Sequence, residues 1–252
     1  KIFVEVEKAR LTSMMAQIKE AEGNAEEAAN LLQEVQVESF GAMERREKTE
    51  YILNQMRLVL LKKDYVRTQI ISRKLNPKLL ETDDFQDLKI RYYEYMVQYW
   101  LHEKKFLDVS KSYLSIFNTK CVQDDEAKWK PALTAHALYL ALAQYDNEQE
   151  DMLNKLDELQ AKKLDKVPVF QQVIKIFLRK EIVAWPLTNG EEIRAHPVFQ
   201  DTPHEGGNAR WDMLKKRVVQ HNIKVISGYY GQIHTVRLCE LIGLSEQEAE
   251  AE

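Results

Sequence analysis

The chain has 252 residues, 44% of them hydrophobic and 30% charged, with a formal net charge of -4, a balance that fits a globular protein with a core and argues against a disordered one. So small a net charge does not steer the whole molecule toward nucleic acid or an anionic membrane, and no apolar run approaches the ~20 residues of a membrane span. The two cysteines, Cys121 and Cys239, lie far apart in helical pattern, which predicts free thiols in a reducing compartment, cytosol or nucleus.

With Lys1 first and an amphipathic pattern already under way, the start reads as an internal cut rather than a signal peptide. The first helix is expected over Val4 to Glu20, with Val6, Leu11, Met14, Met15 and Ile18 toward the core. After a turn at Gly23-Asn24 comes its partner, Ala25 to Val37, whose small Ala28 and Ala29 allow close approach before Leu31, Leu32 and Val35. A second hairpin pairs Tyr51, Ile52, Met56 and Leu58 to Leu61 with Tyr65, Ile70, Ile71 and Leu75 across Lys63-Asp64, and Pro77 is expected to end it. A third sets Tyr92, Tyr93, Met96, Val97 and Trp100 against Phe106, Val109, Tyr113 and Ile116 across Lys104-Lys105. The fourth sets Leu133, Leu138, Leu140 and Leu142 against Met152, Leu153, Leu156 and Leu159 across Asp146-Asn147. The turns recur about every forty residues, the signature of stacked repeats.

Beyond the hairpins, a fifth helix is expected over Val169 to Trp185. Of eight Gly and six Pro, a large share falls between Pro186 and Gly207, so that stretch reads as an exposed loop or a boundary. A long helix follows, Trp211 to Tyr230, and then Ile233, Val236, Leu238, Leu241 and Ile242 at helical spacing. Gly243 supplies a left-handed helix end, and Ser245 with Glu248 forms a capping box for another helix. Helix, tight turn and helix in this order are the opening of a winged helix, and the chain stops at Glu252 before a third helix and a wing. The predicted fold is all-α: a right-handed α-solenoid of TPR-like hairpins over residues 1–207, and over 208–252 a connecting helix with the first part of a truncated winged-helix module.

Chemistry-bearing patterns are sparse. His102, His136, His196, His204, His221 and His234 show no metal-ligand spacing, and neither cysteine has a C-x-x-C partner. No nucleophile elbow, Walker loop or dinucleotide fingerprint is present. The expectation is therefore no catalytic residue, no metal, no cofactor and no enzyme activity. The aromatic group Tyr92, Tyr93, Tyr95, Tyr99 and Trp100 reads as hairpin core with edges showing, or else as a binding face. From Arg210 to Arg237 the basic residues Arg210, Lys215, Lys216, Arg217, Lys224 and Arg237 face the single acid Asp212, and a glutamate-rich tail follows. Such a helix suits an acidic partner, the chain's own acidic tail or a nucleic-acid backbone.

Hairpins leading to a long helix and the run Tyr-Tyr-x-x-Ile-x-x-x-x-Leu-x-x-Leu-x-Gly-Leu-Ser resemble the PCI-domain proteins, shared by the proteasome lid, the signalosome and a translation initiation factor. The stretches VEVEKARLT (4–12), ILNQMRLVLLKKDYVRTQIISRKLN (52–76), KIRYYEYMVQ (89–98), YDNEQ (145–149) and RWDMLKKRVVQHNIKVISGYYGQI (210–233) look like a PCI subunit of the 26S proteasome lid, whereas 186–207 departs from the pattern. The resemblance implies a non-catalytic scaffold in ATP- and ubiquitin-dependent protein degradation, in cytoplasm and nucleus. Its implied partners are other lid PCI subunits, the deubiquitinating metalloprotease pair, the ATPase ring and the core particle, with no membrane. From charge and expected exposure alone, Lys215, Lys216, Lys224 and Arg237 are the expected partner contacts. A paralogous signalosome scaffold and a nucleic-acid-binding PCI protein are the alternatives.

Overall fold

The structure, a computed structural model, describes residues 2–201 and 206–244. Among these it is all α, with no strand. In chain order the helices are α1 (Ile2–Ala21), α2 (Ala25–Gln33), α3 (Arg45–Leu61), α4 (Tyr65–Ser72), α5 (Pro77–Leu80), α6 (Gln86–His102), α7 (Phe106–Phe117) and α8 (Lys120–Gln123), followed by α9 (Glu126–Leu142), α10 (Asn147–Leu159), α11 (Ala161–Leu164), α12 (Pro168–Leu178), α13 (Gly190–Arg194), α14 (Gly207–Ser227) and α15 (Thr235–Ile242). They form two compact units, Lys1–Glu103 with Ser115–Asp125 and Lys104–Leu114 with Glu126–Glu252.

In the first unit successive long helices pack on one another: α1 on α2, α2 on α3, and α3 on both α4 and α6. This is a solenoid-like stack, because one hairpin cannot cover its own apolar face and the next one does. The turns fall at the expected positions and carry their own chemistry. Gly23 (φ 84) and Lys63 (φ 58) are left-handed. At both, the amide of the left-handed residue and the next amide reach back to Glu20 and Lys19 or to Leu60 and Val59, the double bond that terminates a helix. Asn24 and Asp64 then cap the following helix by accepting from the amides of Glu27 and Arg67, so one short segment both stops and starts a helix. The repeat is also written in ion pairs: Arg10 to Glu47 and Arg57 to Glu20 join residues 37 apart, and Arg46 to Asp87 residues 41 apart.

Several expectations about the core are corrected. On α1, Val6 is buried, but Leu11, Met14, Met15 and Ile18 are exposed, and Ala9 and Ala16 face inward against Ala28 and Ala29. Close backbone approach along the alanines decides which face turns in, and large side chains do not fit there. Leu61, Ile70 and Leu159 are likewise exposed. The second helix ends at Gln33 rather than Val37. Pro77 does not end a helix either: it opens α5 at its first turn, with Asn76 as the cap, where its missing N–H costs nothing. The aromatic group of α6 is mostly core, with Tyr99 buried and Tyr92, Tyr93, Tyr95 and Trp100 half-buried.

The second unit is built around α9, whose residues from Ala132 to Leu142 are all buried, with α10, α12 and α14 packed on it. The fifth expected helix is real but stops at Leu178 rather than Trp185. Within the stretch read as an exposed loop or a boundary, residues 186–201 form a packed strap: Leu187, Ile193 in α13, and Val198 and Phe199 in a 3-10 turn at Pro197–Phe199 are buried. The long helix runs Gly207–Ser227, and α15 ends at the left-handed Gly243 (φ 69). Val219 and Ile226 pack there on Ile242. The Ser245–Glu248 capping box lies outside the described residues.

Candidate partner-contact site

Helix α14 carries most of the basic residues that the sequence marks, and its environment decides what each can do. At Gly207, the first residue of the helix, a Cβ would collide with the Phe199 carbonyl, so only glycine fits there. One turn on, Arg210 is fully buried. Its Nε donates to the Val198 carbonyl at 2.5 Å, and its Nη2 donates to that of Gln200, so the guanidinium satisfies strap carbonyls that have no helical partner. Arg210 therefore does not belong to any basic surface.

Farther along, Arg217 donates from Nε to the Leu142 carbonyl at 3.0 Å and from Nη1 to Gln220 Oε1 at 2.6 Å. It caps the C-terminus of α9, where a cation is favoured by the helix dipole. Asn222 is buried, and its side-chain amide exchanges two hydrogen bonds of 2.8 Å with the backbone N–H and C=O of Val183. The neighbouring His221 faces the Glu181 carbonyl at 3.2 Å; burial, and then the charge of Lys224, lower its pKa.

The four expected contact residues have different surroundings. Lys215 and Lys216 are half-buried on α14. Lys224 is exposed, with Nζ 3.4 Å from Glu150 Oε2 and 3.6 Å from the centroid of the Tyr145 ring. Arg237, on α15, pairs with Glu240 at 2.8 Å. Because Arg210 is buried and Arg217 is bonded to the end of α9, the stretch is a weaker phosphate-binding stripe than its composition suggests.

Around Lys224 the last turns of α9 and α12, the start of α10 and the second half of α14 line an open cavity of about 320 Å³. Leu153, Phe177 and Ala141 give it an apolar floor, with Tyr145, Glu150 and Lys224 at the mouth. The Tyr145 hydroxyl donates to Glu150 Oε2 at 2.6 Å. That hydrogen bond, then Lys224 and Lys180, hold the Glu150 carboxyl below its usual range. Tyr145 and Glu150 were not legible as site residues: nothing local links them to Lys224, which lies 74 positions from Glu150.

No cluster of three or more His, Cys, Asp or Glu side chains able to hold a metal ion occurs among the described residues. His136, the most enclosed histidine, is a structural group. Its Nδ1 sits 2.9 Å from the Ser110 carbonyl and the Ser110 hydroxyl donates to the His136 carbonyl, while burial lowers its pKa to about 4. Among the described residues no helix is long and apolar enough to cross a membrane.

Comparison with known proteins places these features. The profile of the family described as PSMD12/CSN4, N-terminal, matches residues 1–125, and that of the PCI domain matches residues 171–252. The chain is 40% identical to the 26S proteasome regulatory subunit rpn501 of Schizosaccharomyces pombe, over 99% of this chain and 56% of the relative. It is 40% identical to the 26S proteasome non-ATPase regulatory subunit 12 of Dictyostelium discoideum, over 99% and 55%. With the 26S proteasome regulatory subunit RPN5 of Saccharomyces cerevisiae it shares 39% identity, over 99% and 56%. The chain thus spans just over half the length of these relatives. The first 125 residues thus match the PSMD12/CSN4 N-terminal family and the last third of the chain matches the PCI domain.

Proposed function

We propose that this chain is the larger part of a scaffold subunit of the 26S proteasome regulatory particle lid, the counterpart of non-ATPase regulatory subunit 12. The observation that carries the reading is identity of about 40% along 99% of the chain to relatives that are named as 26S proteasome regulatory subunits. In this reading residues 1–207 form the helical-repeat body, whose later helices belong to the PCI domain. Residues 208–252 carry the connecting helix and the opening of the winged helix.

A stack of hairpins offers extended surface, and the subunit works by holding neighbours rather than by turning over a substrate. Its partners are other PCI subunits of the lid, the deubiquitinating metalloprotease pair, the ATPase ring and the core particle, in cytoplasm and nucleus. Lys215, Lys216, Lys224 and Arg237 are the proposed contact residues. The PSMD12/CSN4 description also favours a second reading, a signalosome scaffold.

Affinity purification of the tagged full-length protein separates the two. Proteasomal ATPases and lid subunits are the expected companions, whereas a cullin deneddylase in their place overturns the proteasome reading. Charge reversal at the four contact residues is expected to reduce recovery of lid subunits; undiminished recovery moves the interface elsewhere.

A further inference from the structure

The cavity beside Lys224 has the form of an anchor pocket with a weak latch at its rim. Its floor is apolar, and its size, about 320 Å³, is at the small end of ligand sites, enough for one or two side chains. The latch consists of the Tyr145 hydroxyl on Glu150 at 2.6 Å, Lys224 on Glu150 at 3.4 Å, and Lys224 over the Tyr145 ring at 3.6 Å. Tyr145 is 48% exposed and the Lys224 and Glu150 side chains 49% each. Solvent-exposed pairs of this kind are weak, so an incoming group can displace them.

The charge at the mouth is unbalanced. Lys224 and the nearby Lys180 act on one carboxylate, Glu150, and Arg217 lines the same cavity. The available cation is a point charge rather than a fork: Arg217 already uses Nε on Leu142 and Nη1 on Gln220, which removes the bidentate geometry that phosphate recognition favours. An apolar floor under a single lysine suits a hydrophobic side chain with a carboxylate beside it.

We propose that this pocket binds an acidic, hydrophobic segment of a partner polypeptide, with one leucine or phenylalanine side chain in the cavity and an adjacent carboxylate taking Lys224 from Glu150. The inference rests on the reading that this protein acts through polypeptide contacts, and it names the chemistry of one contact. Glu150 then competes with the partner for Lys224.

The test is fluorescence anisotropy of the purified full-length protein with a labelled peptide of sequence Gly-Glu-Leu-Phe-Glu-Glu-Gly. Saturable binding is expected, weakened about tenfold by Lys224→Glu and strengthened severalfold by Glu150→Gln, because removing the competing carboxylate releases the lysine. The same peptide with glutamines for glutamates is expected to bind about tenfold more weakly. Absence of saturable binding, indifference to Lys224→Glu, or equal affinity for the amide peptide overturns the pocket. Unchanged thermal unfolding of both variants ties the effects to the mouth rather than to folding. Loss of peptide binding while lid subunits still co-purify removes the anchor pocket and leaves the scaffold reading standing; the reverse result does the opposite.

Discussion

Asn222 and Val183 meet as a strand and its partner would: the buried side-chain amide donates to the Val183 carbonyl and accepts from its N–H, both at 2.8 Å. The segment after α12 has left its helix and has no ladder of its own, so an amide in the middle of α14 replaces one. Arg210 does the same for the carbonyls of Val198 and Gln200. Together these two side chains let an irregular strap pack against a helix without stranding its backbone polar groups.

Replacing Asn222 by Ala is expected to destabilise the protein by about 2–3 kcal/mol, since it removes two buried hydrogen bonds and leaves both Val183 groups unsatisfied. Asn222→Asp keeps the acceptor, loses the donor and buries a charge, and is expected to cost no less. Urea unfolding measures the loss, and amide exchange at Val183 is expected to accelerate in both variants. Wild-type protection in Asn222→Ala would show that the strap is held by its apolar contacts alone.

The left-handed Lys63 (φ 58) and Lys104 (φ 56) sit where the first hairpin uses Gly23. A side chain in that conformation costs on the order of 1 kcal/mol more than glycine, partly offset by the larger entropy of an unfolded glycine. Lys63→Gly and Lys104→Gly are each expected to raise stability by about 0.5–1 kcal/mol, read as a higher melting temperature. Lys63→Val is expected to lower it.

His136 gives the stability a pH dependence of known sign. Its ordinary pKa of 6.5 falls to about 4 in the folded protein through burial, so between these values the unfolded chain binds more protons. Stability is therefore complete above about pH 6.5 and declines as the pH falls toward 4. Half-buried His196, also lowered to about 4 by burial, acts in the same direction. For His136 alone the contribution is on the order of 3 kcal/mol. Unfolding midpoints between pH 7 and 4.5 are expected to slope less in His136→Gln than in the wild type.

On α1 the structure reverses the usual ranking of positions. Met15→Ala and Leu11→Ala are expected to change stability by less than about 0.5 kcal/mol, because those side chains face solvent. Ala9→Leu or Ala16→Leu, at positions 0% and 2% exposed, is expected to cost about 1–3 kcal/mol through overpacking. Thermal unfolding of the four variants distinguishes the two faces.

Local chemistry determined much of this protein by itself. The helices of each hairpin, the turns near Gly23, Lys63, Lys104 and Asp146, the α15 end at Gly243 and the all-α class follow from apolar periodicity and from residues that stop or cap a helix within a few positions. These interactions act over one or two helical turns and are therefore written in the neighbouring residues. Which face of α1 turns inward, that 186–201 packs as a strap, that Arg210 is buried, and that Tyr145, Glu150 and Lys224 share one mouth were decided only by the tertiary structure. Those outcomes depend on how closely two backbones approach and on partners up to 74 residues away. A basic residue has the same letter whether it faces a partner protein or a carbonyl of its own chain, and only packing distinguishes the two.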